Sequence, residues 1–362
     1  MKNEKIRLAI EKKLNGLVEA NRGLHNAYLL IHSDKYNIHW NMAAGQTGNM
    51  SAHAGQPYHT ASIGKAFTSV IIAMLAEQGK LNYQDPIDRY LSADIIQDLH
   101  VYRGKDYSHQ IQIKHLVNHT SGLPDFYEDK PRQGKHFLEL ILDEPARFWT
   151  PAETIQWTKE HYKTRFAVGQ GFHYSNTGYN LLGLIIEQVT SKPYQEVLHE
   201  YIFNPLGMRD SYLSQFSEPA IKSNYPVAHI NANGREINIE DYRSFSSIYS
   251  GGQTVSTSED LLLFMQALLE NKLIQNKTLS SLQQWNKRWT GLDHGYGLMR
   301  VRMLPFITKY NAWGHLGSIG SFMLYNPVMD VHIIGNFNKT AYLGPAMRFV
   351  LGALRKISAI GH

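Results

Sequence analysis

Three short segments of this sequence carry side chains whose types and spacing suit an activated nucleophile. In Ser62-Ile63-Gly64-Lys65 a hydroxyl and an amine stand at i and i+3, and a third polar group, Ser69, follows one turn later. On a helix, i and i+3 are neighbours, about 5–6 Å apart between Cβ atoms, so the Lys65 amine reaches the Ser62 hydroxyl. A hydroxyl is a weak nucleophile until a base takes its proton. A buried lysine is shifted toward its neutral form by desolvation and can serve as that base. The helix N-terminus beside Ser62 adds positive potential and free N–H groups, which suit a developing oxyanion.

The second segment is Tyr174-Ser175-Asn176, between Gly169, Gly171 and Gly178. It reads as an extended loop on which Tyr174 and Asn176 point the same way. A phenol near an ammonium is expected to fall below its ordinary value of about 10 and to shuttle a proton. The Asn176 amide is able both to donate to a substrate carbonyl and to hold the lysine. Ordinary Asx-turn chemistry gives the same local pattern. The third segment is Trp313-Gly314-His315-Leu316-Gly317-Ser318. A glycine-rich strand lets a substrate backbone approach and pair with it, and its N–H groups could complete an oxyanion hole. His315 is expected to add a group whose charge changes near neutral pH.

These segments need elements to hold them. Residues 62–79 read as one helix, apolar nearly all round and stopped at Gly79, so it belongs in the interior. Before it, residues 1–17 read as an amphipathic surface helix. Two apolar runs around Ser33-Asp34-Lys35 read as a β-hairpin. Residues 179–190 and 193–203 have helical spacing. Residues 256–271 open with a capping signal at Thr257 or Ser258. The C-terminal third changes character: 296–304, 310–317, 321–327 and 331–337 read as strands with short turns, and 342–357 as a closing helix. Strands at both chain ends with helices between imply an α+β fold, one antiparallel sheet flanked by helices. The expected division is a discontinuous sheet domain, 1–80 plus 245–362, and a mainly helical subdomain, 81–244.

Composition narrows the function. The 362 residues are 43% hydrophobic and 19% charged, which is globular composition. A net charge of +5, with no block of like charges, gives no footprint for nucleic acid. The absence of cysteine excludes disulfides, thiolate metal sites and a cysteine nucleophile. No apolar run approaches the ~18 residues of a membrane span. The charged N-terminus lacks the apolar core of a signal peptide, so a cytoplasmic protein is expected; export with a signal removed is the alternative.

Together and in this order the three segments resemble the serine β-lactamase and penicillin-binding protein superfamily, in which S-x-x-K carries the nucleophile. The matching branch holds class C β-lactamases, D,D-carboxypeptidases, D-aminopeptidases, D-amino acid amidases and esterases. HLVNHTSGLPDF (115–126), residues 174–208, GGQTVSTSEDLLLFMQAL (251–268) and HGYGL (294–298) are similar to that family's connecting segments, so the resemblance covers about residues 20–350. It implies a β-lactamase/transpeptidase-like fold. It also implies Ser62 as the acylated nucleophile, Lys65 and Tyr174 as the proton-transfer pair, and Asn176 as a contact to the substrate amide. By the same resemblance, residues 315–317 stand where relatives have Lys-Thr-Gly or His-Thr-Gly, and the backbone N–H groups of Ser62 and Ser318 form the oxyanion hole. His315, Gly317 and Ser318 thereby join the substrate-binding set. No cofactor and no metal are implied.

Leu316 departs from the pattern. A threonine there offers a hydroxyl to the substrate carboxylate of β-lactams and D-Ala-D-Ala stems; leucine does not. The expectation is a serine hydrolase acting on small peptide, D-amino acid amide or ester substrates. β-Lactamase or D-alanyl-D-alanine carboxypeptidase activity is the rival, and a non-catalytic sensor or scaffold is the rival of another class. His115 and His119, at i and i+4, suit a turn better than a metal. Asp125, Tyr127 and Glu128 either line the site entrance or form solvated loop. The oligomeric state is not legible.

Overall fold

The computed structural model describes residues 2–289 and 291–360. Helix α1 (Lys2–Glu19) leads into a hairpin of β1 (Asn26–Ser33) and β2 (Ile38–Thr47), with the two-residue β3 (Met50–Ser51) at its edge. Helix α2 (Gly64–Glu77) follows. Residues 81–250 hold several short helices and the longer α3 (Asn176–Thr190). Then come α4 (Ser258–Leu269), six strands and α5 (Leu343–Ile357). The strands are β4 (Asn286–Trp289), β5 (Leu292–His294), β6 (Met299–Val301), β7 (Ala312–Leu316), β8 (Phe322–Asn326) and β9 (Val331–Asn336).

Among the described residues the main sheet runs β4-β5-β6-β7-β8-β9-β1-β2-β3, with every neighbouring pair antiparallel. It is closed in the middle by β1 against β9, in a register that sets Leu30 opposite Ile334. Both sheet faces are covered, so β1 is buried along almost its whole length and reads as a continuous apolar run. One face packs Leu29, Ile31, Leu324 and Ile333 against α1 and α5. The other packs Leu30, Met323 and Ile334 against the layer that holds α2 and α4. This is the expected α+β arrangement of a helix-flanked antiparallel sheet. Helix α2 is wrapped on all sides, with residues 64–73 buried without a break. A separate apolar cluster, including Phe126, Phe137, Trp149 and Phe245, joins the segments beyond α2.

The expected hairpin, the four C-terminal strands and the closing helix all form, with the ends of the last three strands trimmed by at most two residues. The exception is 296–304, of which only Met299–Val301 is strand. Strands β4 and β5 were not anticipated. Among the described residues no helix is long and apolar enough to cross a membrane.

Candidate active site

Ser62 does not lie inside α2. It sits in a 3-10 turn, Ala61–Ile63, that feeds the helix at Gly64. Ala61 has φ +49°, a left-handed conformation that a residue with a Cβ adopts only under constraint. The constraint is visible on both sides. Thr60 donates its N–H and its hydroxyl to Thr254 O, each at 2.9 Å, and Thr60 O accepts from Ser321 Oγ at 2.8 Å. Gly317 is what lets β7 come this close: a Cβ there would lie 2.1 Å from Ser321 Oγ and 2.9 Å from Thr60 O.

Lys65 is fully buried. Its Nζ donates to Asn176 Oδ1 at 2.5 Å and to Gly251 O at 2.5 Å, and reaches Ser62 Oγ at 3.5 Å. The rings of Tyr174 and Tyr179 flank it at 4.9 and 5.2 Å. Desolvation drives the amine down from its ordinary value toward neutrality; the negative charges of Asp125 and Glu128 oppose that shift. With two N–H bonds committed to oxygen acceptors, a third tetrahedral position on nitrogen remains for Ser62. The Gly251 carbonyl is aimed at the amine by an irregular turn in which Tyr249 takes φ +41°.

Tyr174 hydrogen-bonds with Ser62, but its titration runs opposite to the expected direction. Burial pushes the phenol well above its ordinary value, and Asp125 and Glu128 push it further; the Ser62 bond only partly opposes them. The nearby amine cannot pull the phenol down when the amine is itself driven toward neutrality. Tyr174 therefore keeps its proton and is a donor. It stacks on His119, centroids 4.4 Å apart, and His119 Nδ1 accepts the N–H of Ser175 at 3.1 Å. His119 and His115 do not act as a pair: His115 Nδ1 accepts Gln112 N at 3.0 Å at a helix start.

Asn176 is not on an extended loop. It is the first residue of α3, whose N-cap Ser175 accepts from Gly178 N at 3.1 Å. Its amide is turned so that Oδ1 faces Lys65 while Nδ2 donates to both oxygens of Asp125, at 3.0 and 2.9 Å. Both Asp125 oxygens converge on one N–H of Nδ2, so the second N–H is not used by them, and Asn176 borders the smaller cavity at Ser62.

His315 also differs from expectation. It is 1% exposed, its Nδ1 lies 2.8 Å from Leu316 O, and its ring borders neither cavity at Ser62. Burial, with Lys65 nearby, holds it down to about 3, so it stays neutral through the physiological range. Strand alternation is the reason: Leu316 faces the open side and His315 faces the α2 side.

Two cavities meet at Ser62. One, of about 50 Å³, is walled by Ile230, Ile239, Phe245 and Ile319 and touches Asn176. The other, of about 540 Å³, holds Tyr174, Leu292, Met299, Leu316 and Gly317. Ser62, Ser318 and Glu128 border both. Among the described residues no lysine or arginine lines either cavity. His294, on the larger one, is held down to about 4 by burial. Asp129 there is already paired with Arg165 and His173. Glu128 is exposed and has no ion pair among the described residues.

The structure thus brings Ser62, Lys65, Tyr174, Asn176, Gly317 and Ser318 into one neighbourhood and leaves His315 behind the wall. The sequence leaves Asp125 at a site rim or in a solvated loop; in the structure it is a buried partner of Asn176. Its one sequence signal is a carboxylate set in the apolar run Leu123-Pro124-Asp125-Phe126.

A family model described as Beta-lactamase matches residues 19–348. Penicillin-binding protein 4* of Bacillus subtilis is 27% identical over 260 residues, 66% of this chain and 51% of that protein. A putative D-alanyl-D-alanine carboxypeptidase of Salmonella typhi is 25% identical over 336 residues, 82% of this chain and 74% of that protein. The chain spans about half the length of the Bacillus relative. Among solved structures, the D-amino acid amidase of Ochrobactrum anthropi superposes with a TM-score of 0.78 at 24% identity, over 98% of this chain and 99% of that one. That likeness concerns the fold, which is β-lactamase/transpeptidase-like as the resemblance implied.

Proposed function

The chain belongs to the beta-lactamase family, and from that premise we propose that it is a serine hydrolase opening an amide or ester bond through an acyl-enzyme on Ser62. The observation that carries this reading is the Lys65 amine: buried, desolvated, with two N–H bonds committed and Ser62 Oγ in reach.

In the proposed cycle neutral Lys65 takes the Ser62 proton as Oγ bonds to the carbonyl carbon. The carbonyl oxygen becomes an oxyanion facing the N–H groups of Ser62 and Ser318; such a donor is worth roughly 10²–10³ in rate. Collapse breaks the bond to the leaving group. Tyr174 gives that group its proton and recovers one from the Lys65 ammonium, so the serine proton leaves with the product. Water then yields a proton to the same pair, attacks the acyl carbonyl, and Ser62 is restored as the acid departs.

The leaving group must lie within reach of its proton donor, so it occupies the larger cavity, where Tyr174 is. The acyl side then faces the smaller one. The larger cavity offers Leu292, Met299, Leu316 and carboxylates, and a substrate carboxylate there would stay unpaired. This favours amides, small peptides and esters without that group over β-lactams and D-Ala-D-Ala stems. Glu128, bordering both cavities, suits the α-ammonium of an amino acid amide. The D-amino acid amidase likeness is in keeping with this and is carried over only as a proposal.

The test is a panel of D- and L-amino acid amides, short nitrophenyl esters, D-Ala-D-Ala peptides and nitrocefin, run on wild type and Ser62→Ala. Turnover of amides or esters that vanishes in Ser62→Ala is expected. Activity retained in Ser62→Ala overturns the reading. A stable fluorophosphonate adduct with no turnover of any substrate would indicate a sensor instead.

A further inference from the structure

Asp125 is a buried carboxylate that the cycle above does not use. Its Oδ1 accepts from Tyr127 N at 2.9 Å and from Asn176 Nδ2 at 3.0 Å, and its Oδ2 accepts from the same Nδ2 at 2.9 Å. Its own N–H donates to Asp129 Oδ2 at 2.8 Å, and Asp129 is fixed in turn by Arg165 and His173. The carboxylate is thus pinned on both its backbone and its side chain.

An ionised carboxylate only accepts hydrogen bonds, whereas an amide has a donating and an accepting end. We propose that Asp125 is a positioning residue: by accepting from Nδ2 it forces the Asn176 amide to present Oδ1 to Lys65, and so fixes which directions on the amine are taken and which is left for Ser62. Without that partner the amide can turn over and face the amine with N–H groups, which removes an acceptor from the ammonium. A further consequence is that Asn176 serves here as a link between a carboxylate and a base. The inference rests on Lys65 being the base in the proposed cycle.

The groups facing this chain of contacts are few. Lys65 lies against Tyr174, Tyr179, His119 and His315, the two histidines held neutral by burial. Asp125 faces Lys65 across the amide, and Tyr127, Glu128, Asp129 and Tyr162 around it. The negative charge of Asp125 raises the proton affinity of Lys65, and burial pushes Asp125 above the usual carboxylate range.

The test uses two variants and the pH dependence of kcat/KM, whose acid limb follows protonation of the free enzyme. Asp125→Asn keeps size and removes both the charge and the orientation rule. Its kcat should fall about tenfold or more at little cost in KM, and its acid limb should move to lower pH, by roughly one unit. The exchange Asp125→Asn with Asn176→Asp restores donor-to-acceptor matching and brings the charge against the amine. Its acid limb should move above that of wild type. Opposite movements are not the result of a packing defect. If the single variant does not fold by thermal melting, the direction shown by the exchanged pair decides. Acid limbs that coincide with wild type, or wild-type kcat in Asp125→Asn, overturn the inference. Ser62→Ala run alongside separates the two ideas: if it is inactive while the other variants behave as wild type, only the role of Asp125 falls.

Discussion

The amine of Lys65 stands 3.5 Å from the hydroxyl of Ser62, one turn earlier in the chain, with no solvent exposure of its own. That pair combines a near-attack arrangement for proton transfer with the dryness that makes an amine basic at neutral pH, and most of the expected behaviour follows from it.

A base that must be neutral gives a rate that rises with pH through its own titration. Desolvation places that titration well below the ordinary lysine range. The acid limb of kcat/KM is expected near neutrality; a limb close to pH 10 would mean the amine is solvated. Lys65→Met should lower kcat by about 10²–10⁴, measured with an amide substrate.

Tyr174 retains its proton, because burial pushes it well above its ordinary value. Its contribution should therefore depend on what leaves. An amine departs only with a proton, whereas a nitrophenolate needs none. Tyr174→Phe should cost amides about 10² or more and nitrophenyl esters far less, compared as kcat/KM. Equal losses on both would contradict a donor role.

Leu316 borders the cavity assigned to the leaving group, where no described lysine or arginine is found. Amides of neutral amines should be preferred to the same acyl group joined to D-alanine by at least about tenfold in kcat/KM, since an unpaired carboxylate loses more than ~1.4 kcal/mol. The measurement is a matched pair of substrates differing only in that carboxylate.

Away from the site, Asp260 on α4 accepts from Asp210 N at 3.0 Å and Ser211 Oγ at 2.8 Å. Burial pushes it up to about 7 from an ordinary 3.8. The folded state therefore holds this proton more tightly than the unfolded chain. The resulting stabilisation is complete at pH values below 3.8 and is lost as pH rises toward 7. Asp260→Asn should change stability little at pH 4 and raise it at pH 8, on the order of 1–3 kcal/mol. Urea denaturation at the two pH values checks the difference in slope.

Periodicity and turn chemistry exposed the hairpin of β1 and β2, the strands β7 to β9 and the closing helix, because each buries a regular stripe bounded by turn residues. They did not expose β4 and β5, which are short and mostly polar (Asn286-Lys287, Leu292-Asp293-His294), so no alternation marks them. The site was legible where local geometry fixes it: Ser62 and Lys65, at i and i+3, meet across the 3-10 turn and the first turn of α2. It was not legible where long-range packing decides. Strand alternation turned His315 inward, helix α3 began three residues earlier than its apolar run and took in Asn176, and burial reversed the sense of the Tyr174 shift. Asp125 came to the site through a loop whose path no local pattern reveals.

The pairing of β1 with β9 has a consequence for how the molecule comes into being. The hydroxyl at position 62 leaves the ribosome about 250 residues ahead of Ser318, just past β7, which lines the same cavities. At ~5–20 residues per second that is an interval of roughly ten seconds to a minute. Throughout it the turn carrying Ser62 lacks the β7 segment that it closes against. Under the proposed cycle a half-made chain is thus chemically silent, and hydrolytic power arrives only when the two ends of the sheet find each other.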